Sequence, residues 1–316
     1  MSRVNNLVLA VSGLTVAVLS GCSSNSPEPH EQTYYCGAQS IVVHPGDEHI
    51  QLRVGDQDYQ LERTSAASGE RYVSHENDND VVFWSRGRSA EIEINGQSYP
   101  QCRQSGALAE NTIARGNEPF WSMTIGEERM LLNRMGEDEV EYRIGDLEHS
   151  NDTTEITDTS ERVRVTVYEE LCQDSMSGMY YPQRADLDIH GEQLSGCAGA
   201  SLSLLQGVEW RVEGLDNHDY GDHDVTLRFL HADGETQVVG RSACNRYFGE
   251  YRLDGERLTV SQLAGTKMAC SDESMRTEYQ FLDALSKVNS FTAARDEGAP
   301  LQINLNTDAG ELRLRQ

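Results

Sequence analysis

The segment that decides the fold of the N-terminal third is IQLRVGDQDYQLE, Ile50–Glu62, in which two short alternating runs flank a turn. Apolar residues occupy every second position of Ile50–Val54, and the same period of two continues in Tyr59–Glu62. The residues between the runs, Gly55 to Asp58, are those that tight turns favour. The pattern therefore predicts a β-hairpin with one face toward a core and the other toward solvent.

Further short strands follow this hairpin. Val81–Trp84 is a compact apolar run, and Ala90–Asn95 alternates before Gly96 turns the chain. Several strands in a short stretch bounded by Cys36 and Cys102 predict a small antiparallel β-barrel or sandwich, closed by one disulfide.

The first residues are typical of a secreted protein. Arg3 gives a basic start, Leu7–Leu19 is an apolar run, and Leu19-Ser20-Gly21-Cys22 closes it. The ending resembles the lipobox of bacterial lipoproteins, whose cysteine is acylated after cleavage. The alternative is an ordinary signal peptide with Cys22 as a spare thiol.

The lipobox resemblance implies a signal peptide over 1–21, a lipid such as palmitate on Cys22, and a flexible tether over 22–33. Acyl chains hold a protein on a membrane without a spanning helix. Ser23, after the cysteine, implies by the same resemblance an outer-membrane location facing the periplasm.

Charge restricts the partners. The 316 residues contain 52 Asp and Glu against 26 Lys and Arg, for a formal net charge of −26. Binding to nucleic acid or to anionic lipid headgroups needs a clustered basic face, so we expect no nucleic acid and membrane contact only through the lipid. An acidic surface with only two lysines, Lys267 and Lys287, is typical of solubility at high salt.

The cysteines agree with an oxidising compartment. With Cys22 assigned to lipid, an even number remains, and the absence of a Cys-x-x-Cys motif gives zinc or thiol redox chemistry little support. Many pairings are open, and the one that joins sequence neighbours is the simplest. It joins Cys36 to Cys102, Cys172 to Cys197 and Cys244 to Cys270.

Two motifs in 34–102 identify a family. SAASGERY, Ser65–Tyr72, and FWSRGRSA, Phe83–Ala90, together with the flanking cysteines, are similar to the membrane-bound inhibitors of C-type lysozyme (the MliC/PliC family). The resemblance implies a small antiparallel β-barrel that inserts a loop into the lysozyme cleft. It places the inhibitory serine at Ser68 and the inhibitory lysine at Arg86.

We therefore assign Ser68, Gly69, Tyr72 and Arg86 to a lysozyme-binding site. A lysozyme cleft works with two carboxylates, and a hydroxyl and a cation delivered together satisfy both. Arginine keeps the charge of lysine, but its planar fork is not equivalent to an ammonium. A longer acidic loop, His75–Asp80, is a second departure, and the alternative is a decayed barrel in which the serine only shapes a turn.

The middle segment, 112–200, resembles an uncharacterised bacterial lipoprotein family through GNEPFW, Gly116–Trp121, and CQDSMSGMYYP, Cys172–Pro182. That resemblance implies no chemistry. Glu118, Asp174 and Ser177 could form a polar site, but turn and capping roles are expected for them. The acidic, Thr- and Ser-rich stretch 146–161 is predicted to be an exposed loop.

The segment 205–316 resembles the META domain through Trp210, Gly240–Tyr251 and Thr266–Cys270. An α+β unit is implied, with one amphipathic helix on an antiparallel sheet. The apolar face of that helix is predicted to contain Met275, Tyr279, Leu282 and Leu285.

No motif supports catalysis or a cofactor. The acidic loop Asp216–Asp224, with two histidines, could bind a divalent cation, but a solvated loop is the expected reading, and no metal is assigned. The sequence thus predicts a mainly β, multidomain, lipid-anchored envelope protein that is not an enzyme and inhibits C-type lysozyme. The alternatives are a binding or stress module led by the META domain, with a vestigial inhibitor barrel, and an undescribed enzyme in the middle segment.

Overall fold

The computed structural model describes residues 31–74, 80–150, 152–232, 235–295 and 299–316. The predicted signal peptide, Cys22, most of the tether and all but the last residue of the loop 75–80 lie outside these residues. The protein is mainly β, as predicted, with three large sheets and a single α-helix in the described part of the chain. Within that part, no helix is long and apolar enough to cross a bilayer.

The first sheet is a closed antiparallel barrel, because β6 pairs with β7, β7 with β9, and β9 with β1. Alternate side chains point inward, as the sequence predicted, and the core includes Ile41, Leu52, Leu61 and Phe83. The strands are β1 Gln32–Cys36, β2 Gln39–His44, β3 His49–Val54, β4 Gln57–Thr64, β5 Glu70–Ser74, β6 Val81–Arg86, β7 Ser89–Ile94, β8 Gln97–Ser98 and β9 Cys102–Gln104.

Antiparallel order sorts the connections of this first barrel into two ends. The β2–β3 turn, the β4–β5 loop and the β6–β7 turn share one end, where β9 also leaves the barrel toward the middle sheet. The β1–β2 turn lies at the opposite end. We call the end with the β4–β5 loop (65–69) and the β6–β7 turn (87–88) the inhibitory end, after the role that the sequence analysis predicts for Ser68 and Arg86.

The middle sheet is a second closed barrel of eight antiparallel strands. A short hairpin, β16 Cys172–Gln173 with β17 Tyr180–Tyr181, stands outside the barrel. The barrel strands are β10 Thr112–Asn117, β11 Phe120–Ile125, β12 Arg129–Arg134, β13 Val140–His149, β14 Thr153–Asp158, β15 Val163–Tyr168, β18 Gln183–Ile189 and β19 Glu192–Ala198.

The exposed loop predicted for 146–161 is wrong, since most of it belongs to β13 and β14. Thr154, Ile156 and Asp158 alternate inward and are buried, so the polar composition hides a strand period. The Asp158 carboxylate accepts hydrogen bonds from the backbone N–H of Arg162 (2.7 Å) and of Val163 (2.8 Å). These bonds satisfy a buried charge that composition alone assigns to solvent.

The C-terminal sheet is antiparallel and follows the order β25-β24-β23-β22-β20-β28-β27-β26. A 3₁₀ turn, Ser201–Leu204, precedes it, and one helix lies against it. The elements are β20 Trp210–Leu215, β21 His218–Asp219, β22 Thr226–Ala232, β23 Glu235–Arg241, β24 Arg246–Asp254, β25 Arg257–Gly265, α1 Asp272–Leu285, β26 Val288–Ala294, β27 Gln302–Thr307 and β28 Gly310–Arg315.

The helix exists as predicted, but the predicted apolar face is wrong for Met275 and Tyr279. Met275 and Tyr279 are 47% and 71% exposed, whereas the buried residues of α1 are Thr277, Phe281, Ala284 and Leu285. The Phe281 ring packs edge-on against Tyr247 of β24, with centroids 5.4 Å apart. The sheet thus selects the stripe that contains Phe281; of the predicted residues, Leu285 is buried in this core and Leu282 packs against it.

The three disulfides join the cysteines that are neighbours in sequence: Cys36–Cys102, Cys172–Cys197 and Cys244–Cys270. Each bridge lies within one of the three sheet units or between a sheet and its own hairpin. Cross-links that close loops of this kind stabilise a fold by about 2–4 kcal/mol, mainly through the unfolded chain.

The three units contact one another. Arg103 of the first barrel forms an ion pair with Glu169 of the middle unit, and both side chains are largely buried. The N–H of Ala38, in the β1–β2 turn, donates to the Gln206 carbonyl at 2.7 Å. Met179 of the β16–β17 hairpin is buried in the C-terminal core. The C-terminal unit therefore docks at the end of the first barrel opposite the inhibitory end.

Candidate functional site

The inhibitory end is built from a loop and a strand end that the barrel places side by side. In the register of β5 with β6, Glu70 lies opposite Ser85, so Gly69 follows opposite Arg86. The loop from Ser65 to Gly69 is exposed, and the Arg63–Glu70 ion pair at 2.9 Å spans its base. The structure thus brings Ser68, Gly69 and Arg86 together.

Gly69 is necessary at this position for two reasons. Its φ is +68°, a conformation that costs other residues about 1–2 kcal/mol. A Cβ built there would stand 2.1 Å from the Ser85 carbonyl oxygen and 2.7 Å from Cγ of Arg86. The loop backbone therefore lies directly against the stem of Arg86, and only glycine permits the contact.

Trp84 connects the two parts of the inhibitory end. Its indole Nε1–H donates to the carbonyl oxygen of Ser68 at 2.8 Å. Its ring carries the guanidinium of Arg86, whose Cζ lies 4.3 Å from the ring centroid. Trp84 and Arg86 are two residues apart on β6, so they share one face of the strand.

Arg86 also has an ion-pair partner in the barrel. Its Nη2 contacts the carboxylate of Glu91, which lies opposite Trp84 in the β6–β7 register. The Arg86 and Glu91 side chains are 45% and 57% exposed, so solvent screens the pair and its contribution to stability is small. The cation remains at the surface, held against the indole and the carboxylate.

Tyr72 has a different position from the other three assigned residues. Its ring is buried in the barrel core, 4% exposed, and packs against Phe83 with centroids 6.4 Å apart. Burial, followed by the nearby Glu70 carboxylate, raises the pKa of the phenol. The structure therefore places Tyr72 behind the inhibitory end, where it supports β5 from inside the barrel.

A cleft of about 330 Å³ separates the inhibitory end from the middle barrel. Arg86 and Arg88 line it on the side of the first barrel, and Gly126 and Glu127 of the β11–β12 turn line it on the other. A protein that approached Arg86 from this side would meet the middle barrel next to the inhibitory end.

The polar residues of the middle unit form a turn. Asp174 accepts hydrogen bonds from the Ser177 N–H and hydroxyl, both at 2.7 Å, and from the Asn117 amide at 2.7 Å. Burial raises the pKa of Asp174, but these hydrogen bonds outweigh burial and hold it below its usual value. Asp174 and Ser177 are thus joined as turn-shaping groups, while Glu118 lies outside this network at the cis Glu118–Pro119 bond.

The C-terminal unit has a similar network. Both oxygens of Glu278 on α1 accept hydrogen bonds from Asn245, one from its N–H at 2.9 Å and one from its side-chain amide at 3.1 Å. The Asn245 amide oxygen accepts from Thr266 Oγ1 at 2.7 Å. Asn245 thereby ties the loop beside the Cys244–Cys270 disulfide to the helix.

The acidic loop 216–224 has protein partners. Asp219 forms an ion pair with Arg313, Asp224 one with Arg241, and Asp216 accepts from the Glu311 N–H at 2.8 Å. Among the described residues, no group of three or more His, Cys, Asp and Glu side chains is arranged to hold a metal ion.

Two family models match parts of the chain. Residues 34–101 match the family model described as membrane-bound lysozyme-inhibitor of c-type lysozyme, and residues 203–315 match the META domain model. No curated protein matches the chain. An NMR structure of a protein from Burkholderia xenovorans is 26% identical, with a TM-score of 0.27, over 34% of this chain and 75% of that one.

The first sheet thus has the architecture of a small antiparallel β-barrel, and the C-terminal sheet with its helix coincides with the match to the META domain model. In particular, the barrel carries the family signature of the membrane-bound inhibitors of C-type lysozyme, as its motifs predicted. Both families are non-catalytic, and the inhibitor family is described as membrane-bound.

Sequence reasoning assigned no role to Trp84 or Glu91. The alternation of VVFWSR, Val81–Arg86, already places Trp84 and Arg86 on one face of a strand. A two-residue turn at Gly87–Arg88 then sets Glu91 opposite Trp84. The hydrogen bond from Trp84 to the Ser68 carbonyl, by contrast, has no signal in sequence, because it depends on the β4–β5 loop folding back across the strand.

Proposed function

We propose that the protein is a lipid-anchored lysozyme inhibitor, with its first barrel occluding the active-site cleft of a C-type lysozyme. The observation that carries the proposal is the contact between Gly69 and the Arg86 stem, which presents the Ser68 hydroxyl and a cation at one exposed barrel end. The active-site cleft of a lysozyme contains one protonated carboxyl group and one ionised carboxylate, and these can bind the hydroxyl and the cation.

The mechanism is steric and electrostatic. The Ser65–Gly69 loop enters the cleft, Ser68 donates a hydrogen bond to one carboxylate, and the Arg86 guanidinium neutralises the other. The sugar chain is excluded from the occupied cleft, so lysozyme does not cleave peptidoglycan. The net charge of −26 adds long-range attraction for a basic lysozyme.

The location follows from the N-terminal sequence. A signal peptide over 1–21 directs export, acylation of Cys22 anchors the protein in the outer membrane, and the tether over 22–33 leaves the barrel free in the periplasm. The inhibitory end faces away from the docked META domain, and the partner, a C-type lysozyme, approaches it from the side that does not face the middle barrel.

The test is inhibition of cell-wall lysis by a C-type lysozyme, using the soluble chain from Ser23 at low and high salt. Inhibition that survives high salt supports cleft insertion, because surface attraction is screened. The double variant Ser68→Ala with Arg86→Ala is expected to lose potency, whereas Ser65→Ala, a change of an exposed serine in the same loop, is the matched control. Full potency in the double variant contradicts the residue assignment.

The second candidate is a non-catalytic envelope module led by the META domain. A cleft of about 480 Å³ next to the Cys244–Cys270 disulfide, lined by Asn245, Arg246 and Thr266, favours it as a binding surface. Absence of lysozyme inhibition at every salt concentration would favour this function and make the first barrel a relic.

A further inference from the structure

We propose that Trp84 is a positioning residue for lysozyme inhibition, which holds the Ser68 loop with its indole N–H and the Arg86 guanidinium with its ring. The proposal rests on the proposed function, since it concerns the same contact with lysozyme. Two geometric facts carry it: the 2.8 Å hydrogen bond to the Ser68 carbonyl and the 4.3 Å distance from Arg86 Cζ to the ring centroid.

The hydrogen bond fixes the loop without using the group that inhibits. Ser68 precedes Glu70, the first residue of β5 that pairs with β6, so no strand partner holds its backbone. The indole N–H bonds to its carbonyl oxygen, and the Ser68 hydroxyl has no hydrogen-bond partner among the residues that the structure describes. The hydroxyl therefore stays available for a lysozyme carboxylate.

The Trp84 ring restricts the positions of the Arg86 guanidinium. Arginine has a long flexible side chain, and ordering it on binding costs conformational entropy. Stacking on Trp84 and the close approach of the Gly69 backbone to Cγ of Arg86 limit the positions open to the guanidinium before lysozyme arrives. Pre-organisation of this kind strengthens binding by lowering the ordering cost.

A single side chain therefore couples the two inhibitory groups. Ser68 and Arg86 are separated by a loop and two strands in sequence, and Trp84 contacts both the Ser68 backbone and the Arg86 side chain. If Trp84 served only as apolar filler, its replacement would lower stability and leave the inhibition constant of the folded protein unchanged.

Two variants of the full soluble chain separate the two contacts. Trp84→Phe keeps a ring under Arg86 and removes the N–H donor, and it is expected to weaken lysozyme inhibition about fivefold, the usual worth of one neutral hydrogen bond. Trp84→Leu removes both contacts and is expected to weaken inhibition about 30-fold.

The matched control is Trp210→Phe in the META domain. The Trp210 indole donates to the Leu205 carbonyl, also at 2.8 Å, and its side chain is completely buried. This variant removes the same kind of bond at the far end of the protein. It is expected to lower stability at least as much as Trp84→Phe and to leave the inhibition constant unchanged.

A second measurement does not depend on lysozyme. In the free protein, amide hydrogen exchange of the 68–70 segment is expected to be about fivefold faster in Trp84→Phe than in the wild type. In a Ser68→Ala background, Trp84→Phe is expected to weaken inhibition by much less than in the wild type, because both changes act on one contact.

The outcomes are separable. The positioning role is overturned if Trp84→Phe and Trp84→Leu both inhibit lysozyme as strongly as the wild type does. It is also overturned if amide exchange of the 68–70 segment is unchanged in Trp84→Phe. Either result leaves the inhibitor function intact. If the wild type does not inhibit lysozyme, the proposed function fails, and the exchange rates alone then decide whether Trp84 holds the loop.

Discussion

Replacement of Gly69 by alanine tests whether the contact between the loop and Arg86 produces inhibition. The backbone at Gly69 has φ +68°, so any side chain there costs about 1–2 kcal/mol of stability. The new Cβ also meets the Ser85 carbonyl oxygen at 2.1 Å, and ordinary contact begins at 3.4 Å. The loop must therefore move away from β6, and with it Ser68 moves away from Arg86.

The chain provides a control that has the backbone cost without the clash. Gly55, in the β3–β4 turn at the opposite end of the barrel, has φ +57°, and a Cβ there would meet nothing within 4 Å. Alanine at this position is expected to cost about 1–2 kcal/mol from the left-handed backbone alone.

The expected difference in inhibition between Gly69→Ala and its control is large. Gly69→Ala adds about 1–3 kcal/mol of overpacking to the backbone cost. It also breaks the hydrogen bond from Trp84 and the contact with the Arg86 stem, two interactions worth about 1 kcal/mol each, so inhibition weakens by about 30-fold. Gly55→Ala loses stability but inhibits like the wild type.

The assay is a titration of lysozyme-catalysed cell-wall lysis with each variant, together with amide exchange of the first-barrel strands to measure the free energy of opening. The reasoning is refuted if Gly69→Ala inhibits as strongly as Gly55→Ala while both remain folded.

Three further changes are expected to have defined effects. Burial opposes ionisation of Asp158, but hydrogen bonds from the Ser160 hydroxyl and from three backbone N–H groups lower its pKa from 3.8 to about 2. Asp158→Asn should therefore lower the free energy of unfolding by about 2 kcal/mol at pH 7, as measured by urea unfolding. The difference between the variant and the wild type should fade as the pH falls from about 4 to about 2. Arg103→Met leaves Glu169 largely buried without its cation and should cost about 3 kcal/mol in urea unfolding. Glu91→Gln frees Arg86 from its intramolecular carboxylate and should strengthen lysozyme inhibition up to about fivefold.

Each of these changes has a control within the chain. Asp56→Asn alters an exposed turn carboxylate and should leave acid unfolding unchanged. Arg252→Met breaks the exposed pair with Asp254, at 77% and 73% exposure, and should cost less than about 1 kcal/mol. Glu93→Gln changes an exposed carboxylate on the same strand as Glu91 and should not alter inhibition. Equal effects in a variant and its control would contradict the corresponding mechanism.

Local patterns in the sequence were sufficient for the strands of the first barrel. Alternation in Ile50–Val54 and Ala90–Asn95 predicts which side chains point inward, because the period of a strand is independent of its partners. The disulfide pairing also followed from sequence order, since each sheet unit is a continuous segment and its cysteines are near one another in the chain.

The same local reasoning was wrong at two places: where a polar composition concealed the period of a strand, and where a helix had two apolar faces that could be buried. The polar stretch 146–161 is largely strand because the end of β13 pairs with β14, β14 pairs with β15, and backbone N–H groups stabilise Asp158. On α1, two apolar stripes are available, and contact with Tyr247 favours the stripe that contains Phe281 over the one that contains Tyr279. Which face of a helix is buried depends on the element that packs against it, and the helical period of the sequence gives no information about that element.

The sequence by itself determined the residue types of the inhibitory end: a serine and a glycine in one motif and an arginine in another. Only the tertiary structure decided that they meet, because pairing of β5 with β6 brings Gly69 against Arg86. It also decided that Tyr72 points into the core, that Trp84 ties the loop to the cation, and that the META domain docks at the opposite end. These relations join residues distant in sequence, and long-range packing, which no short motif encodes, sets them.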